Sequence, residues 1–146
     1  MYDIRHRIGI NAPKAEVQRA FATTDGLASW WTLDTEGDAT EGGKLVFTFG
    51  DRGTVTVDVI EVTDDRVQWR GVAGPDEWTG TTFTFDLAEE GDETVLLFTH
   101  GGWREQAPFL AHCTSKWGAF LLGAKSLLEG GQAAPYPGDL HISSWD

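Results

Sequence analysis

Four histidines, one cysteine and seven tryptophans are the side chains of this 146-residue chain whose types and placing could do chemistry. His100 shares strand parity with Leu96 and Phe98, so it points to an apolar face near the end of a strand. A buried imidazole there could orient a ligand through a hydrogen bond or transfer a proton, and its plainer role is a satisfied structural histidine. His6 has the same inward parity among Ile4, Ile8 and Ile10 and carries the same two readings. Cys113 adjoins His112 on a helical stripe, but neighbouring helical residues diverge by about 100°. The pair is therefore no nucleophile–base dyad, and Cys113 reads as a buried inert thiol. Gln68 and Arg70 face away from Trp69, toward water. Val59-Ile60-Glu61-Val62 breaks strict alternation, and the bulge this implies could turn Glu61 either way. The acidic stretch with Asp34, Glu36, Asp38 and Glu41 lacks the fixed glycine and closing glutamate of a calcium loop, so it reads as solvated. HExxH, paired CxxC, GxGxxG and P-loop signatures are missing. The expectation is no catalytic residue, no metal and no cofactor.

The compositional oddity is aromatic: seven Trp, eight Phe and two Tyr stand in a chain with 18 Gly. Large rings placed around small residues would line an apolar pocket with a few polar handles. The candidate ligand-binding set is Trp30, Trp31, Phe47, Phe49, Val57, Trp69, Phe83, Phe85, Phe98, His100, Trp103, Trp117, Leu121 and Ala124. Ordinary core packing is the plainer reading at any one of these positions. Trp30 and Trp31 are neighbours on a short helix, so only one of them can face inward.

The elements that must position these residues follow from periodicity. Residues 1–10 alternate as a half-buried strand, and Asn11-Ala12-Pro13 stops it. A short helix is predicted from about Pro13 to Ala22, and a second after Thr24-Asp25 carries Leu27 and the Trp30-Trp31 pair. Residues 34 to 43 read as a loop or a weak edge strand. Five alternating runs follow, around Leu45–Phe49, Val55–Val59, Val67–Arg70, Phe83–Leu87 and Leu96–His100, with turn residues between them. From about Glu105 to Glu129 the period becomes helical, with Leu110, Cys113, Trp117, Leu121, Ala124 and Leu128 on one stripe and Gly130-Gly131 as the stop. Residues 132 to 146, with Leu140, Ile142 and Trp145, form either a docked extended segment or a loosely ordered tail. The class is α+β: a curved antiparallel sheet of about six or seven strands wrapped around the long C-terminal helix, which alone is large enough to cover it.

Charge excludes partners. Lys plus Arg number 11 and Asp plus Glu 23, a net charge of −12 that repels phosphate backbones and anionic headgroups. Neither nucleic acid nor a membrane surface is expected as a partner. No basic-then-apolar start marks a signal peptide, no apolar run nears the roughly 20 residues of a membrane span, and one cysteine allows no internal disulfide. A cytoplasmic location is expected.

Six motifs also carry a resemblance. Asn-Ala-Pro-x-x-x-Val (Asn11 to Val17), Asp-Gly-Leu-x-x-Trp-Trp (Asp25 to Trp31), Gly-Gly-Lys-Leu-x-Phe-x-Phe (Gly42 to Phe49), Val-Ile-Glu-Val (Val59 to Val62), Thr-His-x-Gly-Trp (Thr99 to Trp103) and Trp-x-x-x-Leu-x-x-x-Lys-x-x-Leu-Glu (Trp117 to Glu129) occur in order. Together they resemble the START-like (SRPBCC) superfamily, in the branch similar to the C-terminal domain of the activator of the 90-kDa heat-shock chaperone ATPase. The resemblance covers about residues 4 to 130 and implies a helix-grip fold with a cavity between sheet and helix. It divides the chain into a helix-grip domain at 1–131 and an extension of the same domain at 132–146. Where the signature usually has a bulky Leu, this chain has Ala124, accompanied by Gly118, Ala119 and Gly123, and small residues there are expected to leave volume. The leading expectation is a small protein that binds a hydrophobic or aromatic molecule in that cavity. The alternatives are proton-transfer chemistry like that of polyketide cyclases and aromatases, and a chaperone-associated interaction module. The tail is a possible homodimer contact.

Overall fold

The computed structural model describes all 146 residues. The chain runs β1 (Tyr2–Ile10), α1 (Lys14–Ala22), α2 (Thr24–Ala28), β2 (Asp34–Gly37), β3 (Lys44–Thr48), a 3-10 turn (Gly50–Arg52), β4 (Thr54–Val62), β5 (Arg66–Ala73), β6 (Thr82–Glu90), β7 (Glu93–Trp103) and α3 (Pro108–Leu128). All seven strands belong to one antiparallel sheet ordered β1-β7-β6-β5-β4-β3-β2. The acidic segment that the sequence leaves as loop or edge strand is the edge strand β2, paired only with β3.

Alternation sets which side chains meet the helix. Ile4, Ile8 and Ile10, then Leu45 and Phe47, Val55, Val57 and Val59, Val67 and Trp69, Phe83, Phe85 and Leu87, and Leu96, Phe98 and His100 are all buried on the concave face. They share one core with Cys113, Trp117, Phe120, Leu121 and Ala124 of α3. The bulge expected near Glu61 is present as a register shift between Val59 and Glu61. It leaves Ile60 exposed and turns Glu61 outward, 3.8 Å from Arg66. Thr23 separates the two short helices by capping α2, its Oγ1 accepting from the Gly26 amide at 3.0 Å. Trp30 and Trp31 fall just after α2, which ends at Ala28, and are both buried, because the helical divergence that would turn one of them outward no longer applies.

The small residues of α3 do not leave empty volume. Gly118 faces β1, where an added Cβ would already be in van der Waals contact with His6 Cε1 at 3.4 Å, and Gly123 lies against Ala133. His6 itself is held at the helix by Thr114, whose Oγ1 lies 3.2 Å from Nε2. The tail is docked. Tyr136 donates its amide to Trp31 O at 2.8 Å and accepts from the Leu33 amide at 3.1 Å, an added bridge beside Thr32. Its ring packs on Phe49, with centroids 5.4 Å apart, and its hydroxyl stands over Gly50, whose φ of +56° and missing Cβ make room for it. No helix is long and apolar enough to cross a membrane.

Candidate functional site

The docked tail walls a cavity of about 550 Å³. One stripe of α3 forms its floor: Phe109, His112, Cys113, Lys116, Trp117 and Phe120, at steps of three and four. Phe49 and Arg52 of the β3–β4 connection form one wall, Trp78 of the β5–β6 loop another, and Tyr136, Asp139, Trp145 and Asp146 of the tail a third.

Trp31 is the inner end of the cavity and the centre of an aromatic cluster. Its ring centroid lies 4.4 Å from Phe47, 4.9 Å from Trp117, 5.5 Å from Phe49, 6.0 Å from Trp69 and 6.4 Å from Trp78. Of the residues expected to line the site, Trp31, Phe49 and Trp117 reach the cavity wall. The other eleven lie behind it in the packed core: Trp30, Phe47, Val57, Trp69, Phe83, Phe85, Phe98, His100, Trp103, Leu121 and Ala124. The physical reason is the close approach of α3, which lets these rings fill the space between helix and sheet. Trp30 is fixed there by its indole N–H, which donates to Ala20 O at 2.9 Å.

His100 is fully buried and both of its ring nitrogens are used. Trp117 Nε1 donates to Nδ1 at 3.2 Å, and Nε2 lies 2.9 Å from Thr81 Oγ1, whose hydroxyl donates on to Trp78 O at 2.5 Å. This chain of donors is satisfied by one neutral tautomer, with the proton on Nε2. His100 therefore orients Trp117 and the Trp78 loop rather than a ligand. Burial pushes its pKa from the ordinary 6.5 down to about 3. The unfolded chain takes up this proton in that interval and the folded chain does not, so the stabilisation is complete above pH 6.5 and is lost as pH falls toward 3. The slope from this group is up to about 1.4 kcal/mol per pH unit. Urea denaturation between pH 4 and 7 is expected to show that slope, and His100→Gln to flatten it; equal slopes would contradict the assignment.

Cys113 lines the cavity but is buried, and desolvation pushes its thiol up to about 12, far from a reactive thiolate. Two indole N–H groups, of Trp78 and Trp103, are buried without an oxygen or nitrogen acceptor, and that of Trp78 faces the Cys113 thiol. Trp103 packs behind the wall against His100 and Phe109, whereas Trp78 is on the wall itself.

The outer end of the cavity is charged. Lys116 Nζ is held by Asp139, by Asp146 Oδ2 at 2.9 Å and by Leu140 O at 2.9 Å, with only 15% of its side chain exposed. Beside it, burial and then the Lys116 and Arg52 charges hold His112 below its ordinary value, despite Asp146. No group of three or more His, Cys, Asp or Glu side chains is placed to hold a metal ion.

The arrangement has relatives. A family model described as activator of Hsp90 ATPase homolog 1-like protein matches residues 11–129. The chain belongs to this AHSA1 family. Among solved structures, this AHSA1 chain is similar to the Aha1 dimer of Colwellia psychrerythraea, at 39% identity and TM-score 0.81, over 90% of this chain and 98% of that one. It shares its fold with the Staphylococcus saprophyticus protein SSP2350 (17% identity, TM-score 0.75, 92% of this chain and 97% of that one). It also shares it with CalU16 of Micromonospora echinospora (23% identity, TM-score 0.73, 92% of this chain and 77% of that one). No functionally curated protein matches significantly. The AHSA1 match ends at residue 129, so the tail that forms the third cavity wall lies beyond it. Trp78, Phe109, His112, Lys116, Phe120 and the tail residues of the wall are not in the set expected from the sequence. The spacing of Phe109, His112, Lys116 and Phe120 along the helix was a usable signal for four of them.

Proposed function

We propose that the protein binds an apolar, ring-bearing small molecule in the cavity between α3, the β3–β4 connection and the tail. The observation that carries this reading is the wall itself: Trp31, Phe49, Trp78, Trp117 and Phe120 surround a volume of about 550 Å³, within the range of small-molecule sites. The aromatic core behind the wall gives the site rigid support, which limits the ordering cost of binding. A two-ring ligand of about 14 heavy atoms, at about −0.4 kcal/mol per atom, would bind with Kd near 0.1 mM. Titration calorimetry with a panel of naphthalene and indole derivatives is expected to give saturable one-to-one heats and a negative heat-capacity change. No saturable heat across the panel at millimolar concentration would overturn the reading.

A second reading concerns assembly, and the dimeric solution structure of the Colwellia relative favours it. We propose that this chain also self-associates through exposed apolar side chains, among them Leu33, Leu122, Leu140 and Trp145 outside the strands. Sedimentation equilibrium is expected to give twice the chain mass at micromolar concentration, and a monomer at every concentration would contradict it.

A further inference from the structure

The charged end of the cavity already holds an anion, and that anion belongs to the protein. Asp146 Oδ2 accepts from Lys116 Nζ at 2.9 Å and from the Ile142 amide at 2.9 Å, while Oδ1 accepts from the Ser143 amide at 3.0 Å. His141 Nδ1 stands 3.8 Å from the same carboxylate. Against the desolvation that burial imposes, these donors hold the Asp146 carboxyl well below the usual carboxylate range. The preceding residue, Trp145, lays its indole at the rim, 5.6 Å from His112 and 6.4 Å from Phe109 between ring centroids. An aromatic ring next to a carboxylate therefore occupies the mouth of an aromatic cavity.

A second charge points the same way. Arg52, on the opposite wall, has no carboxylate partner, and its guanidinium donates to the backbone oxygen of Trp145. Lys116 and Arg52 thus place two positive groups at one opening of a chain whose net charge is −12, balanced there by the Asp139 and Asp146 carboxylates. A free anion gains there only as Asp146 leaves, when Lys116 and Arg52 outnumber the remaining carboxylate of Asp139.

Resting on the reading of the cavity as an apolar binding site, we infer that its ligand is an aromatic carboxylate whose anion takes the place of Asp146 on Lys116 and is met by Arg52. Asp139 stays on Lys116 in both states, so the exchange conserves charge at the ammonium. Trp145 and Asp146 act as a tethered competitor. A group on a short flexible segment has an effective concentration in the millimolar range, so a free acid must gain apolar contacts deeper in the cavity to displace it. The wall around Trp31 and Trp117 supplies those contacts.

The test compares 1-naphthaleneacetate with the uncharged 1-naphthaleneacetamide by calorimetry, on the full chain and on the variants Asp146→Asn and Arg52→Gln. The acetate is expected to bind at least tenfold more tightly than the amide. Asp146→Asn should tighten the acetate a further tenfold while moving the amide less than threefold, and Arg52→Gln should weaken the acetate about fivefold. Equal affinity of the two compounds overturns the anion assignment and leaves the apolar cavity standing. A preference for acetate that Asp146→Asn does not enlarge overturns the displacement. If neither compound binds the full chain or Asp146→Asn, the apolar reading fails and takes this inference with it.

Discussion

Trp31→Ala is expected to destabilise the fold by about 3–5 kcal/mol and to abolish ligand binding. The magnitude follows from position: the indole is buried and packs against Phe47, Phe49, Trp69, Trp78 and Trp117. Removing it takes away aromatic contacts worth about 0.5–1.5 kcal/mol per pair beyond burial. The void would open into the existing cavity, so water enters it and tempers the cavity penalty toward the lower end. Urea denaturation of the variant checks the first part. Trp31→Phe, which keeps a ring at the site, separates the second part: it should fold well and retain weakened binding. A loss below about 1 kcal/mol for the alanine variant would mean that the cluster is not the keystone its distances describe.

Lys116→Met is expected to release the tail while leaving the sheet intact. The methionine fills the same volume but strands Asp139 and Asp146, whose side chains are only 13% and 12% exposed, without their cation. Leaving a buried charge uncompensated costs about 3–5 kcal/mol. The chain has a cheaper escape, because the segment from Leu140 to Asp146 can swing into water, and the cost cannot exceed what holds that segment down. Hydrogen exchange at the Ile142 and Ser143 amides, which Asp146 caps, should accelerate about 100-fold, while amides of β6 and β7 keep their protection. Adding Asp139→Asn and Asp146→Asn to Lys116→Met should recover part of the loss, since the stranded charges are then gone. Uniform acceleration across the sheet would show that the ion triad supports the whole fold and not the tail.

The fold was legible because its signals are periodic. Alternation in Leu45–Phe49, Phe83–Leu87 and Leu96–His100 marks strands, and the three-and-four spacing of Cys113, Trp117, Leu121 and Ala124 marks the helix against which they pack. Parity states which face a side chain joins but not its depth on that face. Trp69, Phe85 and Phe98 share the concave side with Phe47, and all lie behind the cavity in the core that the sheet shares with Trp117 and Leu121 of α3. His100 was legible as an inward histidine, yet its satisfied state depends on Thr81 and Trp117, which lie 19 and 17 residues away. The tail and Trp78 were the least legible parts, because neither carries a period. Their positions come from single contacts between distant segments, such as the bridge of Tyr136 to Thr32 and the bonds of Lys116 to Asp139 and Asp146.

The tryptophans themselves provide the most direct test of the central claim. Trp31, Trp78, Trp117 and Trp145 line the cavity, whereas Trp30, Trp69 and Trp103 are packed away from it. In a nitrogen-15-labelled sample titrated with 1-naphthaleneacetate, binding in the cavity predicts saturable shifts of the first four indole N–H resonances and near-constant positions for the other three. No shift at saturation concentrations, or shifts centred on Trp30, Trp69 and Trp103, would contradict a ligand site at this place in the fold.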